Sequence, residues 1–243
     1  MFVLRVFGAA CSFALLRTAG MAQTTPVHAQ APRPDAGQLF TAYDATTFRS
    51  VPAAATKIDL EKIDDDLLSA AVFHETNKRR LEHGLAAFRY DPRVRAAAQM
   101  QAEHMASLGV VSHDNAIIPA KATPADRLRL AGLKVGFVGE NAGTAFGIVY
   151  TRSEQVYPRN ENGRKFLSRD PTGEAIPAHT YLSFAEAWLD DLIASPIHRG
   201  NIISPKPLFL GVSCRLKVNE LGMPLFYGVQ KFYSPPGAVP KTQ

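Results

Sequence analysis

The alternation of apolar and polar positions predicts a chain that begins with helices and ends with strands. Apolar residues at helical spacing predict helices at 58–85, 91–109, 122–132 and 181–195, and a short helical turn at 198–204. Apolar and β-branched runs predict a strand running into a turn at 134–143 and a hairpin of two strands at 208–218 and 223–233. Because helices come first and strands last, the order favours an α+β fold, or a helix–sheet–helix sandwich, over a repeating βαβ sheet.

Residues with special backbone preferences mark the ends of two of these helices. Asp91 and Pro92 suit a helix start, because aspartate caps free N–H groups and proline fits the first turn. Gly84 and Gly109 stand where a helix commonly ends in a left-handed conformation. The first helix is therefore predicted to end near Gly84 and the second at Gly109.

Residues 1–22 have the layout of a secretory signal peptide. A short basic start precedes an apolar run at 6–16, which is far shorter than the ~20 residues that a membrane span needs. Small residues allow cleavage after Ala22, with Ala29 as the alternative. An uncleaved anchor and lipid attachment at Cys11 are competing interpretations, which the short run disfavours. The chain is therefore predicted to be exported, extracellular or periplasmic, with no transmembrane span after signal cleavage.

Composition divides the rest of the chain into an arm, a domain and a tail. Residues 23–58 are rich in Ala, Thr, Pro, Gln and Asp without sustained periodicity, which predicts a flexible lead-in or a loosely packed arm. Residues 59–236 carry the predicted elements and form the domain, and residues 237–243 form a tail. Within the domain, residues 150–180 are polar and dense in turn signals, which predicts a long insertion or loop.

Charge and cysteine content exclude several classes of protein. The 243 residues are 46% hydrophobic, enough for a sizeable core. The formal charge of +5 loses two positive charges if Arg5 and Arg17 leave with the signal peptide, so no nucleic-acid-binding surface is expected. With only Cys11 and Cys214, the chain is neither a disulfide scaffold nor a Cys-cluster metal protein. Cys214, in an apolar strand, is expected to pack as a small hydrophobe.

Two histidines and one glutamate are the main candidates for chemistry. His113 follows a helix end, His198 lies between two helical pieces, and Glu140 stands in the sequence GEN. Two imidazoles and a carboxylate could hold a divalent cation such as zinc, or could form an acid–base cluster. Helix capping by the histidines and an ion pair to Glu140 would explain the same residues without a ligand. Solvated surface positions are predicted for four other histidines: His28, His74, His83 and His104.

Two further polar residues lie near the second histidine. Asp191 follows Trp188 by three positions and so lies on the same side of the helix, which makes it a candidate pocket acid. A solvated charge at the helix edge is the alternative. Ser195 precedes His198 by three positions, but a serine before a proline is better explained as a helix terminator than as a nucleophile.

Several segments, taken in order, resemble the CAP (or SCP) domain of the cysteine-rich secretory proteins, antigen 5 and pathogenesis-related proteins. TNKRRLEHGL through VVSH resembles the opening helices of that family, DRLRLAG its next helix, and GENAG its GEN element. The tryptophan followed by SPIHRGNI is similar to the W…SPxHRxNI element of the bacterial branch, and LGVSCRL and FYGVQKF are similar to its closing strands. The resemblance covers about residues 66–233.

The resemblance implies an α-β-α sandwich with a small antiparallel sheet between helices. It also implies a cleft lined by two histidines and two acids, which is reported to hold divalent cations in family members. On this resemblance His113, Glu140 and His198 are three of the four cleft residues. The second acid is Asp191 when counted from the tryptophan, but Ser195 stands in its place when counted back from His198.

A secreted, cleft-bearing domain is implied more clearly than any reaction. The leading hypothesis is a non-enzymatic extracytoplasmic binding module whose ligand is a lipid or sterol, a cell-envelope component or a protein partner. The alternative is a metal-assisted hydrolase, acting on protein or peptidoglycan, in which His113, Glu140 and His198 activate water. A third hypothesis is a vestigial cleft with protein contacts made by residues 150–180.

Overall fold

A computed structural model describes residues 35–238. The α-helices of this part of the chain are α1 (Gln38–Thr41), α2 (Asp65–Glu82), α3 (Pro92–Leu108), α4 (Pro124–Leu130), α5 (Tyr181–Ala194) and α6 (Pro196–Ile202). Its strands are β1 (Arg89–Tyr90), β2 (Phe137–Phe146), β3 (Tyr157–Glu161), β4 (Arg164–Ser168), β5 (Phe209–Val218) and β6 (Pro224–Ser234). Short 3₁₀ turns occur at Thr47–Ser50, Pro52–Ala55 and Pro119–Lys121. None of the described helices is both long and apolar enough to cross a membrane.

The central sheet has four strands in the order β1-β5-β6-β2. Strands β5, β6 and β2 are antiparallel neighbours, and the short β1 runs parallel to β5. Side chains alternate along β6, so that Phe226 and Phe232 face α2 and α5, whereas Val229 faces α3 and Tyr233 faces α3 and α4. Helices thus cover both faces of the sheet, which confirms the α+β fold and its α-β-α layers.

The helix ends follow the signals in the sequence. The carboxylate of Asp91 accepts a hydrogen bond from the N–H of Arg93, and α3 begins at the following proline. Gly109 ends that helix with a φ of +76°, and Gly84 follows α2 with a φ of +70°. Both glycines adopt the left-handed conformation that closes a helix without a steric penalty.

Residues 35–58 are part of the main core. Helix α1 and the first two 3₁₀ turns bury Leu39, Phe40 and Phe48 against α2. The ring of Phe40 stacks on that of Tyr90, with centroids 4.2 Å apart. The prediction of a flexible or loosely packed arm is therefore wrong for this stretch, because its buried residues are spaced too irregularly to show a helix or strand period. The predicted signal peptide, residues 23–34 and most of the predicted tail lie outside the described residues.

Residues 150–180, predicted to be a long insertion or loop, contain a second, two-stranded sheet. Strands β3 and β4 form a hairpin whose turn residues, Asn162 and Gly163, both have positive φ angles, of 52° and 82°. Leu167 and Ile176 anchor the hairpin in a small apolar cluster with residues at the end of the main sheet. This segment is therefore a folded element. Its many turn-forming residues obscured the apolar pattern of two short strands, so the sequence predicted a loop.

Two core side chains bear on the sequence predictions. Cys214 is buried in β5, where burial raises the pKa of its thiol, so it packs as the expected small hydrophobe. His74, predicted to be solvated, is buried instead. Its Nε2 lies 2.8 Å from the carbonyl oxygen of Leu39, and its ring stacks on Phe48. The prediction of a solvated His74 was wrong because residues 35–58 cover this side of α2.

Candidate functional site

His113, Glu140 and His198 come together at the sheet edge formed by β2. The Nδ1 atom of His113 lies 2.9 Å from a carboxylate oxygen of Glu140. His198 belongs to α6, and its carbonyl oxygen accepts a hydrogen bond from the side chain of Asn141 on β2. The two imidazoles are close enough for the charge of His113 to influence the ionisation of His198. The structure thus brings together three residues that are separated along the sequence.

Glu140 lies within strand β2, which continues to residue 146, so the turn predicted at GEN is wrong. Glycines in this strand serve packing instead. Gly143 pairs with Gly228 of β6, and both glycines face the indole of Trp188. Glycine is therefore used here to let α5 approach the sheet closely, and not to form a turn.

Two buried cations enclose the carboxylate of Glu140. Nη2 of Arg127 lies 3.1 and 3.0 Å from the two carboxylate oxygens, and the ammonium of Lys231 contacts one of them. The side chains of both cations have no exposed surface, and that of Glu140 is 2% exposed. Arg127 also donates to the carbonyl oxygen of His113, which fixes the loop carrying this histidine. The carboxylate is thus a rigid, fully engaged group.

The cluster shifts the ionisation of its members. Burial opposes ionisation of Glu140, but the hydrogen bond from His113 and the charges of Lys231 and Arg127 outweigh it and lower its pKa. The same hydrogen bond raises the pKa of His113. Burial lowers the pKa of Lys231 to about 8, although Glu140 opposes the change. Burial, and then the charge of His113, lower the pKa of His198.

A relay of amide side chains fixes the backbone at His198. Asn201 donates to Asn141, at 2.8 Å, and Asn141 in turn donates to the carbonyl oxygen of His198 and to Gln230, both at 3.0 Å. Gln230 donates to the hydroxyl of Thr76 on α2, at 2.8 Å. The position of α6 is therefore tied to the sheet and to a helix beyond it, which holds the second histidine in place.

The sequence analysis did not identify Arg127 and Lys231 as site residues. Arg127 is one of several charged residues in a short amphipathic helix, and nothing local distinguishes it. Lys231 carries a stronger signal, because it interrupts the apolar end of a predicted central strand, next to Phe232. A charge at a buried strand position requires a partner, and the register places Glu140 directly opposite.

Neither candidate for the second acid joins this cluster. Asp191 is exposed on α5, as expected for a solvated charge, and no hydrogen bond or ion pair links it to the other predicted site residues in the described part of the chain. Asp191 follows Trp188 by three residues, and this spacing places it at the edge of the buried face of α5. Ser195 lies at the junction of α5 and α6, where its carbonyl oxygen accepts the N–H of Arg199.

The residues of this site do not fit a divalent cation. Within residues 35–238, no group of three or more His, Cys, Asp or Glu side chains is arranged to hold a metal ion. Both oxygens of Glu140 already accept hydrogen bonds from a buried arginine, and a buried ammonium contacts one of them. A metal ion at this carboxylate would meet two positive charges at contact distance. The predicted metal set of His113, Glu140 and His198 therefore lacks support in the geometry.

The cluster borders a shallow, open cavity. Its volume is about 370 Å³, and it lies between His113, Glu140 and the beginning of α4. The segments that carry the two histidines are rich in exposed aliphatic side chains. Among the described residues, six of eleven exposed large hydrophobic side chains lie within five positions of these histidines in sequence: Leu108, Val110, Val111, Ile117, Ile118 and Ile197.

Comparison with known proteins gives one family match. The model of the cysteine-rich secretory protein family, CAP, matches residues 73–232. No curated protein sequence gives a significant match.

The solved structures that are similar to this chain include those of three proteins. An extracellular protein containing an SCP domain from Bacillus anthracis is 20% identical, with a TM-score of 0.45 over 70% of this chain and 41% of its own. An outer surface protein from Borrelia burgdorferi is 11% identical, with a TM-score of 0.43 over 74% of this chain and 99% of its own. A cysteine-rich secretory protein from Staphylococcus aureus is 11% identical, with a TM-score of 0.41 over 70% of this chain and 40% of its own. The chain therefore spans about two-fifths of the length of the Bacillus and Staphylococcus structures.

Proposed function

This chain belongs to the cysteine-rich secretory protein (CAP) family, and from that premise we propose that it is an exported, non-enzymatic binding module. Its ligand is a lipid, a cell-envelope component or a protein, and the binding site is the cleft at His113, Glu140 and His198. The signal peptide at residues 1–22 delivers the domain to the extracellular or periplasmic space.

The observation that carries the proposal is the contrast between a rigid interior and an accessible rim. Arg127, Lys231 and Glu140 are almost wholly buried, while the side chain of His113 is 53% exposed beside the open cavity. Exposed aliphatic residues flank both histidines along the chain. Polar groups held in place beside an open cavity are typical of ligand sites.

The same geometry disfavours a hydrolase. In general acid–base catalysis, Glu140 would have to accept a proton, but its oxygens are engaged and its neighbours lower its pKa. Within residues 35–238, no hydroxyl or thiol side chain hydrogen bonds to His113 or His198. The cleft therefore holds neither an activated side-chain nucleophile nor a metal-holding group in this region.

Native mass spectrometry tests the binding function. The protein is purified from cells that naturally produce it, as wild type, as His198→Ala and as the double variant Ile117→Ser, Ile197→Ser. We expect a bound species on the wild type, with much lower occupancy on both variants. The matched control is Leu221→Ser, which removes an exposed aliphatic side chain from the β5–β6 turn and should leave occupancy unchanged.

Two outcomes contradict the proposal. Equal occupancy on wild type and both cleft variants would place the ligand elsewhere on the protein. Turnover of casein or peptidoglycan fragments by the wild type, abolished by His198→Ala, would establish the hydrolase instead. Export has its own test, since N-terminal sequencing of protein recovered outside the cytoplasm should begin at residue 23, or at residue 30 for the later cleavage site.

A further inference from the structure

We infer that the cleft binds an oxyanion, a phosphate or carboxylate group, in place of a metal ion. His113 and His198 are the contacting side chains, and the buried Arg127 and Lys231 supply the positive charge. The inference rests on the proposed function, because it takes the cleft to be the ligand site and specifies the chemistry of the group that enters it.

The first argument is the charge balance of the buried cluster. Arg127 and Lys231 each form an ion pair with the same carboxylate, that of Glu140, and neither has another acidic partner among the described residues. One positive charge is therefore left without a compensating carboxylate. Solvent screening is weak at this depth, so the surplus charge acts on the adjoining cavity more strongly than a surface lysine would.

The second argument is that, in the described part of the chain, no second acid joins the buried cluster of Arg127, Lys231 and Glu140. Asp126, which follows the cavity-lining residues at the start of α4, is already engaged by Thr123 and Arg129. The resemblance to the CAP family implied two acids and two histidines, which would give a cation site. Here Asp191 is exposed and joined to no cleft residue, and Lys231 is buried beside the one acid that remains. The sign of the charge at this place is thus the reverse of that expected for a metal site.

The third argument is the unused hydrogen-bonding capacity of the two imidazoles, of which His113 lines the cavity. His113 donates Nδ1–H to Glu140, because a carboxylate can only accept, and this leaves Nε2 of the half-exposed ring for a ligand. This nitrogen donates when the ring is protonated, the form that the hydrogen bond to Glu140 favours. The ring nitrogens of His198 make no hydrogen bond to the described residues. An oxyanion offers several acceptor oxygens to such donors.

Histidine ring resonances in NMR spectra of the wild-type protein provide the first test. Sodium phosphate and sodium acetate are titrated separately, and zinc chloride is titrated in a third series. We expect saturable shifts of His113 and His198 with phosphate, acetate or both, and no saturable shift of these rings with zinc. Saturable shifts with zinc, or no saturable shift with either anion, would overturn the inference.

Lys231→Met tests the source of the charge. Removing one of two buried cations should weaken anion binding on the order of tenfold, the effect of one unit charge at short range in a poorly screened site. The matched control Lys165→Met removes an exposed positive charge from β4 and should change the affinity less than twofold. Equal affinities of Lys231→Met and wild type would exclude the buried charge as the cause. If Lys231→Met does not fold, His198→Ala replaces it, and an unchanged affinity for that variant is likewise contrary to the inference.

Vesicle binding distinguishes a lipid headgroup from a free anion. Association with phosphatidylglycerol vesicles but not with phosphatidylcholine vesicles, lost in His198→Ala, would identify a headgroup. Binding of phosphate or acetate alone would identify a soluble or peptide-borne anion, and both results support an oxyanion site. Shifts caused by zinc alone would refute the oxyanion while leaving the cleft as a ligand site. Equal occupancy of the native ligand on wild type and cleft variants would refute the proposed function itself.

Discussion

A methyl group added at Gly228 should severely disturb the packing of α5 on the sheet. A Cβ atom at this position would overlap the six-membered ring of Trp188. At Gly143, directly across the strand pair, a Cβ atom would lie 3.8 Å from the indole Nε1, which is ordinary van der Waals contact. The same substitution at two paired glycines therefore separates a steric effect from a general effect of alanine in a strand.

The magnitude follows from two opposing contributions. Overpacking of a buried site costs about 1–3 kcal/mol, and the cost lies at the upper end here because the nearest atoms belong to a rigid, buried ring. Replacing glycine by alanine also reduces the entropy of the unfolded chain, which returns about 0.4–1 kcal/mol. We expect Gly228→Ala to lower the free energy of unfolding by about 2 kcal/mol, and Gly143→Ala to leave it unchanged or raise it by up to about 1 kcal/mol.

Urea unfolding followed by tryptophan fluorescence measures both variants, because the chain contains one tryptophan, Trp188. Its emission should also shift in folded Gly228→Ala, since the ring has to move. A double variant with Trp188→Phe, followed by circular dichroism, should recover part of the loss, because the smaller ring leaves room for the methyl group. Similar stabilities for Gly228→Ala and Gly143→Ala would show that the indole does not lie against Gly228.

Other predictions concern the core and the buried charges. Stability should fall as the pH drops below about 6.5. Burial lowers the pKa of His74 from its ordinary value of 6.5, so the unfolded chain takes up the proton more readily than the folded protein does. His74→Phe should therefore make the urea midpoint less dependent on pH in this range. Arg80→Lys should cost about 2–3 kcal/mol in urea unfolding, since lysine cannot replace a guanidinium that donates to three carbonyl oxygens and stacks 3.7 Å from the centroid of Phe88. Cys214 should react with a thiol reagent only at the rate of unfolding, because it is buried. Treatment with a chelator should leave the thermal midpoint unchanged, because Glu140 is neutralised by side chains of the protein.

The parts of the fold that were predicted correctly depend on signals carried by neighbouring residues. Asp91 and Gly109 mark α3 through backbone chemistry that operates within one helical turn. The closing hairpin has long apolar runs separated by a short polar segment, and it forms β5 and β6. The arm at 35–58 was predicted wrongly because Phe40 and Phe48 gain their partners only from distant elements.

The site shows the same division between local and long-range information. His113 and His198 stand out because histidines beside helix ends are conspicuous, and Glu140 because it lies in a recognisable element. The partners that determine the chemistry, Arg127 and Lys231, reach Glu140 only when α4 and β6 pack beside β2. Residue type and the family resemblance therefore pointed to these three residues, whereas the sign of the charge around them depends on strand register and helix packing.

Strand register explains why buried side chains, and not a metal ion, compensate the charge of Glu140. A carboxylate as buried as that of Glu140 requires a compensating positive charge. Where a second acid lies nearby, a divalent cation can provide that charge and becomes part of the site. In this chain the register places Lys231 opposite Glu140, and α4 adds Arg127, so the compensation is built into the fold. Two cations exceed what one carboxylate requires, and the surplus lies beneath two accessible imidazoles, where an oxyanion restores the balance.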